Sequence, residues 1–309
     1  MAKEALILFS KESVELGEAD AEKLAQVLRD AAGAQGLDLA VAWAFYDDLL
    51  HILSADGASI VDVVSGRDIA DFDVVYQRRW GAVPEQALAC AIYLKGKGVR
   101  SFDQETNRAG SKNKLTQYWR FWEAGLPFPV TAFGGFGPAR DALLANLDVL
   151  PFGFPLILKG VDATRGQDNY LIQTHEELRQ KLAERTDTDF LLQEFLPNDG
   201  DYRIIVAGGQ PRFAMYRTAA AGTHTNNTSQ GGEAALVDMR DISKNILDDA
   251  VTAAAAFGRD FAGVDVVLHK DTGAHYFFEV NRSPQIESGK FVEEKAKVLA
   301  QYLYDEASV

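Results

Sequence analysis

The chain has 309 residues, 47% of them hydrophobic and 25% charged, a composition ordinary for a globular protein with room for two or three domains or subdomains. A net charge of −14 repels nucleic acid and anionic membrane, so neither is an expected partner. The single cysteine, Cys90, excludes an intramolecular disulfide, and its Ala89-Cys90-Ala91 setting reads as small, apolar and buried rather than nucleophilic.

Residues 5–9 read as a buried strand that starts directly after Met1-Ala2-Lys3-Glu4. No stretch of about 20 apolar residues occurs anywhere, so a cytoplasmic protein is the expectation. An amphipathic helix is predicted over 18–34, followed by short strands over 37–45, 49–53, 60–63 and 73–76, the last leading to Arg78 and Arg79. Pro84 opens the next helix and Gly96 and Gly98 close it, with a strand over 99–102 beyond. This alternation predicts a small open α/β sheet. A helix from Lys112 to Gly125 carries Tyr118, Trp119, Phe121 and Trp122 at helical spacing, which reads as core packing. Residues 127–131 are extended, 134–138 form a loop and 139–147 a helix. Strands follow over 156–159, 169–172 and 190–195, with Thr174 and Glu177 as a capping box for the helix between the last two. Residues 201–239 are strand-rich, and Ser243 caps an Ala-rich helix ending at Phe257. A hairpin spans 263–281 around Asp271-Thr272-Gly273, and a final amphipathic helix spans 290–304.

The hairpin carries the most telling residues. Asp265, Glu279 and Asn281 are hard oxygen donors at the ends of apolar runs, a set suited to Mg²⁺ held jointly with nucleotide phosphates. Lys159 ends a strand, and the loop after it, with Gly166-Gln167-Asp168, can offer backbone N–H groups to phosphate, although it matches no Walker pattern. Gln193-Glu194-Phe195-Leu196 can hydrogen-bond an adenine through its backbone and reach a ribose with its carboxylate. In a chain of this charge, Lys159, Arg203, Arg217 and Arg282 near a metal site would form a local anion trap. Arg78 and Arg79 are candidates for holding an acceptor carboxylate and His224 for a substrate contact. His269 and His275 flank the hairpin turn and read as exposed.

The order of these residues resembles the ATP-grasp superfamily, closest to the carboxylate–amine ligases that include the ribosomal-protein-modifying glutamate ligases. The resemblance covers about residues 110–305. It rests on Asn113-Lys114 before Leu126-Pro127-Phe128-Pro129, Pro155 to Lys159, Gln193-Glu194-Phe195, Gly200-Asp201-Tyr202-Arg203, Asn227 before Gln230-Gly231-Gly232, Gly263-Val264-Asp265 and Glu279 to Pro284. It implies an ATP-grasp fold of α/β and α+β type, with subdomains over about 112–192 and 193–309 clamping ATP within a domain at 106–309. A small α/β pre-ATP-grasp domain over 1–105 would precede them. It further implies Lys114 and Lys159 on phosphates, residues 193–196 on the adenosine, and Asp265, Glu279 and Asn281 on Mg²⁺, with Mn²⁺ as an alternative ion. Arg203, Arg217 and Asn227 would face the γ-phosphate and the activated carboxylate, and Asp201 either the ribose or an acceptor amine.

The chain departs from that pattern twice. Residues 160–168 replace the family's glycine-rich loop, and Arg165 is placed to compensate on phosphate. The usual Asn-Ser-Ser-Pro-Gly ending is here Asn281-Arg282-Ser283-Pro284-Gln285, where the acceptor is expected, which makes Arg282 and Ser283 candidates for substrate selection. The implied reaction joins a small-molecule or peptide carboxylate to an amine at the expense of ATP through an acylphosphate. A phosphotransferase on the same fold and a nucleotide-binding protein without turnover are the rival readings. A homo-oligomer is compatible with either.

Overall fold

The computed structural model describes residues 2–11, 17–54, 57–79, 83–103, 114–133, 144–145, 147, 150–161, 168–184, 189–219 and 232–308. Strands β1 (Lys3–Phe9) and β2 (Leu39–Phe45), the ribbon β3 (Leu49–Ser54) and β4 (Gly57–Asp62), and strands β5 (Val74–Gln77) and β6 (Arg100–Phe102) form the N-terminal part. Helix α1 (Glu18–Ala34) links β1 to β2, and α2 (Pro84–Lys97) links β5 to β6. The sheet β2-β1-β5-β6 is wholly parallel. Alternation along β1 sends Ala5, Ile7 and Phe9 toward α1, and Leu6 and Leu8 toward Ala87, Cys90 and Leu94 of α2. Cys90 is thus the buried small residue expected, and burial pushes its thiol up to about 12. Helix α2 runs through Gly96 and stops only at Gly98, whose φ of 73° supplies the left-handed cap.

Helix α3 (Lys114–Glu123) leads into a second, antiparallel sheet made from β7 (Thr131–Ala132), β8 (Leu156–Gly160), β9 (Asn169–Ile172) and β10 (Phe190–Glu194), in the order β7-β10-β8-β9. Helix α4 (His175–Glu184) packs on it through Leu178 and Leu182. The predicted box at its start is only half present. The Glu177 N–H donates to Thr174 Oγ1 at 3.2 Å, but the Glu177 carboxylate accepts from Gln173 N rather than from Thr174 N. Only Tyr118, Phe121 and Gln117 of α3 are buried; Trp119 and Trp122 are exposed, which corrects the uniform core reading of that aromatic run. The helix expected over 139–147 falls mostly outside the described residues.

The third sheet is antiparallel, in the order β13-β12-β11-β14-β15, from β11 (Asp201–Ala207), β12 (Gln210–Thr218), β13 (Glu233–Leu236), β14 (Phe261–Leu268) and β15 (His275–Asn281). Helices α5 (Lys244–Ala256) and α6 (Val292–Glu306) complete the chain. On one face Ile204, Val206, Val264, Val266, Phe277 and Val280 pack against α5 and α3. On the other, Ile205, Ala207, Phe213 and Met215 pack against Leu299 and Leu303 of α6, and the same cluster takes in Ile7 of β1 and Leu24 and Leu28 of α1. One face of the N-terminal sheet, with α1, therefore shares a core with the C-terminal sheet. Tyr76 stacks on Phe102 at 4.6 Å, and Phe102 meets Tyr302 edge-on at 5.1 Å across that seam. No helix among the described residues is long and apolar enough to cross a membrane.

Candidate active site

The polar half of that second face is a row of cross-strand partners. Arg217 lies opposite Asp201, Arg203 opposite Asp265, and Asp265 opposite Glu279. Because side chains alternate, Asp201 and Arg203 share a face of β11, and register alone brings the five residues together. Arg203 grips Asp265 with a fork, Nε to Oδ1 at 2.8 Å and Nη2 to Oδ2 at 2.7 Å. Arg217 donates to both oxygens of Asp201 and lies 3.0 Å from Asp265 Oδ2. Asn281 Nδ2 adds a contact to that oxygen at 3.3 Å, leaving its Oδ1 as an acceptor. Burial acts to raise the Asp265 carboxyl, but Arg203 and Arg217 overcome it and hold the group at about 2. Burial dominates at Asp201 instead, pushing it up to about 6 against the pull of Arg217.

Among the described residues no side chain hydrogen-bonds or ion-pairs with Glu279, which is half-buried next to Asp265 and Asn281. No group of three or more His, Cys, Asp or Glu side chains among them is arranged to hold a metal ion by itself. Two carboxylates and one amide oxygen, with arginines alongside, form an incomplete cage. That incompleteness fits Mg²⁺, which completes its shell with water and phosphate oxygens.

Glu279 owes its direction to a feature absent from the sequence reading. Asp265 pairs with Glu279 but Val266 pairs with Phe277, so Phe278 is the extra residue of a β-bulge. In regular alternation Glu279 would share the face of Phe277, inside the apolar core. The bulge keeps Phe277 and Val280 on the core face and turns Glu279 to the site. Strand β15 is also a sheet edge, and its free backbone groups are covered from outside. Phe277 N donates to Pro127 O at 2.8 Å, Val280 N donates to Gln117 Oε1 at 3.1 Å, and Tyr118 OH donates to Phe278 O at 3.4 Å. Two side chains of α3 thus bind the backbone on both sides of Glu279.

Tyr118 serves the phosphate-side lysine as well. Lys159 Nζ lies 3.4 Å from Tyr118 OH and 5.7 Å from the centre of the Phe278 ring. Burial pulls the Lys159 ammonium down, yet Tyr118, Glu279 and Asp265 together raise it, so it stays charged. Lys114 N donates to Val161 O at 3.0 Å, which brings the start of α3 to the end of the Lys159 strand.

In the expected adenosine segment two side chains are engaged within the protein. Gln193 is buried and donates to Thr131 Oγ1 at 2.8 Å, while the Glu194 carboxylate accepts from Val130 N at 2.9 Å. Both side chains therefore brace the 130–131 segment, Phe195 is half-buried, and the Leu196 carbonyl accepts from Asn198. Asp201 binds Arg217 instead of facing an open cleft. Arg78 is fully buried; its Nη2 donates to Pro284 O at 3.0 Å and lies 3.5 Å from Glu287, so it is turned to the chain's own backbone and not to a substrate carboxylate. Arg282 and Ser283 are half-buried. His269 and His275 are half-buried rather than exposed, and His275 lies 2.8 Å from Asp249. Arg165, His224 and Asn227 lie outside the described residues. Gln117, Tyr118, Phe278, Glu287 and Lys295 escaped the sequence reading. A tyrosine among plain aromatics and an acidic residue eight positions after Glu279 were the available signals.

Comparison with known proteins bears on the family and the fold. Residues 122–301 match the model of the RimK-like ATP-grasp domain. A probable alpha-L-glutamate ligase 2 from Hahella chejuensis is 30% identical over 217 residues, covering 69% of this chain and 68% of that protein. A tetrahydromethanopterin:alpha-L-glutamate ligase from Methanosarcina acetivorans is 33% identical over 223 residues, 64% of each chain. Among solved structures, the ATP-grasp ligase PsnB, complexed with a phosphomimetic variant of its minimal precursor, Mg and ADP, superposes with a TM-score of 0.68 at 19% identity, covering 99% of both chains. The macrocyclase MdnC bound with precursor peptide MdnA, from Microcystis aeruginosa, gives a TM-score of 0.67 at 14% identity, covering 98% of this chain and 99% of that one. At those identities the likeness speaks for the fold alone. With the matched domain spanning more than half of its length, the chain belongs to the RimK-like ATP-grasp family.

Proposed function

We propose that this protein is an ATP-dependent ligase that joins a carboxylate to an amine. The observation that carries the reading is the Arg217–Asp201, Arg203–Asp265–Glu279 row with the charged Lys159 beside it. Mg²⁺, for which Mn²⁺ is a chemically similar alternative, would be held by Asp265, Glu279 and Asn281 and would neutralise and orient phosphate oxygens. Lys159 and Lys114 would draw the phosphates to the seam between the second and third sheets, and residues 193–196 would take the adenosine. The substrate carboxylate attacks the γ-phosphorus and displaces ADP. The amine then attacks the acyl carbon, phosphate leaves, and a proton is lost. Arg203 and Arg217, fixed by buried carboxylates, present charge to the transferring group without having to reorganise. No side-chain nucleophile is needed, in accord with the buried, high-pKa Cys90. Alpha-L-glutamate ligases among the relatives, and ligases with peptide precursors among the structural neighbours, support an amino acid or peptide substrate.

The test is release of ADP from ATP and Mg²⁺ over panels of amino acids, dipeptides and small carboxylates, with amide product identified by mass. Glu279→Gln is expected to lower turnover about 100-fold or more. Full activity in that variant would remove the metal assignment, and a stable phosphorylated product without amide would replace the ligase by a phosphotransferase.

A further inference from the structure

The segment after Asn281 is held by a lattice of buried charge drawn from three parts of the chain. Arg78, at the end of β5 in the N-terminal sheet, donates to Pro284 O at 3.0 Å and lies 3.5 Å from the Glu287 carboxylate. Arg79 approaches Glu287 from the other oxygen at 3.4 Å. Lys295 of α6 donates to Gln285 O at 2.8 Å and to Ser288 O at 2.9 Å. Gly263 lets the same segment close on the sheet, since a Cβ there would stand 3.1 Å from Pro284 Cβ. Arg78, Glu287 and Lys295 are all buried, at 1%, 9% and 2% exposure. Burying three charges to shape one short loop is an expensive way to gain stability, because apolar packing does so without the desolvation penalty. What such a lattice supplies is a single loop conformation.

We propose that Arg78, Glu287 and Lys295 are positioning residues for the second substrate. They fix the backbone of residues 284–288, and through it the placement of Arg282 and Ser283 just before it, without touching ATP. The N-terminal sheet thereby takes part in substrate selection through the loop rather than through contact. The proposal rests on the ligase reading only for which ligand the loop meets.

The test compares the full-length protein with Arg78→Met, Arg78→Lys and Lys295→Met, and with Arg240→Gln as a control for loss of an exposed ion pair. Three quantities are read: Mg-ADP affinity by calorimetry, amide hydrogen exchange of residues 283–289, and initial rates against each substrate. In Arg78→Met and Lys295→Met, exchange in the loop is expected to accelerate and the KM of the amine substrate to rise about tenfold, with kcat and Mg-ADP affinity within about twofold. Arg78→Lys, which keeps a charge toward Glu287, should recover part of the loss. A parallel fall in Mg-ADP affinity, an unchanged loop, or a loss of kcat at constant KM would each overturn the proposal, the last being the mark of a merely structural role. Wild-type protein that binds Mg-ADP yet forms no amide would end the ligase reading, while the exchange and affinity measurements still decide whether Arg78 and Lys295 shape the loop independently of the nucleotide.

Discussion

Asp265 accepts from both arginines of the site, whereas Glu279, two strands from Arg203's own, has no side-chain hydrogen bond or ion pair among the described residues. The two carboxylates are therefore unequal. Asp265 anchors the arginines as well as being a proposed Mg²⁺ ligand, whereas Glu279 carries no such hydrogen bonds. The sequence nominated both residues but treated them as equivalent, since the distinction depends on which strands neighbour β14. Tyr118 is the second case. Its hydroxyl bridges Lys159 Nζ and Phe278 O, so it ties Lys159 to the strand that bears Glu279. Tyr118→Phe keeps the ring packing on Phe121 and Phe128 and removes that bridge. The expected result is a KM for Mg-ATP raised about threefold to tenfold with little change in thermal midpoint, on the scale of about 1 kcal/mol for one hydrogen bond. Steady-state kinetics at saturating second substrate would show it, and an unchanged KM would deny Tyr118 any part in holding Lys159.

Strand β15 shows how one irregularity converts a pattern into a site. Phe277, Glu279 and Val280 cannot all be placed properly by a period of two, and the bulge at Phe278 resolves the conflict. Deleting Phe278 would keep the Val266–Phe277 and Asp265–Glu279 pairs in regular alternation, with Glu279 still on the site face, but would remove the carbonyl that Tyr118 binds and change the spacing of the backbone groups that Pro127 and Gln117 cover. Such a variant is expected to lose about 1 to 3 kcal/mol, on the scale of one or two hydrogen bonds. Chemical denaturation would measure this; a deletion variant as stable as the parent would mean the bulge carries no structural burden. Helix α3 belongs to the same account. Its amphipathic stripe was legible, but its role in covering the free edge of β15 with Gln117 and Tyr118 was not. That role exists only once the edge strand is known.

A small α/β pre-ATP-grasp domain is expected over 1–105. Across that boundary β1, α1 and α6 share a core with the C-terminal sheet, and Asp103 closes the seam from the end of β6. Asp103 Oδ1 accepts from Asp260 N at 2.7 Å and Phe261 N at 3.2 Å, and Arg259 donates to the Asp103 carbonyl. Burial pushes this carboxyl up to about 7 from an ordinary 3.8, with Arg259 opposing and Asp260 adding to the rise. The folded value lies above the unfolded one, so the folded chain binds more protons between about pH 4 and pH 7. Stability therefore falls as pH rises through that window, and the whole penalty is present above about pH 7. Asp103→Asn retains an oxygen for the two N–H groups and removes the titration. The difference in stability, variant minus parent, should grow by roughly 1 to 3 kcal/mol from pH 5 to pH 8. Asp201 titrates in the same range in both proteins and cancels in that difference. Parallel curves for the two proteins would show that Asp103 does not titrate there.

Much of this protein could be read without a structure. Apolar periodicity located the helices and strands to within a few residues, because burial of one face is a local, repeating demand on composition. The candidate set of Asp265, Glu279 and Asn281, the lysines and Arg203 and Arg217 could be nominated from the sequence because phosphate and Mg²⁺ chemistry calls for those residue types wherever they fall in the chain. Tertiary structure alone decided who meets whom. Register across β12, β11, β14 and β15 paired each arginine with its carboxylate, a bulge turned Glu279 outward, and a shared core delivered Arg78 of the first sheet to Pro284 and Glu287 of the last loop. Those contacts join residues up to about 200 positions apart. No local preference of the chain encodes them, because they follow from the order in which strands lie side by side.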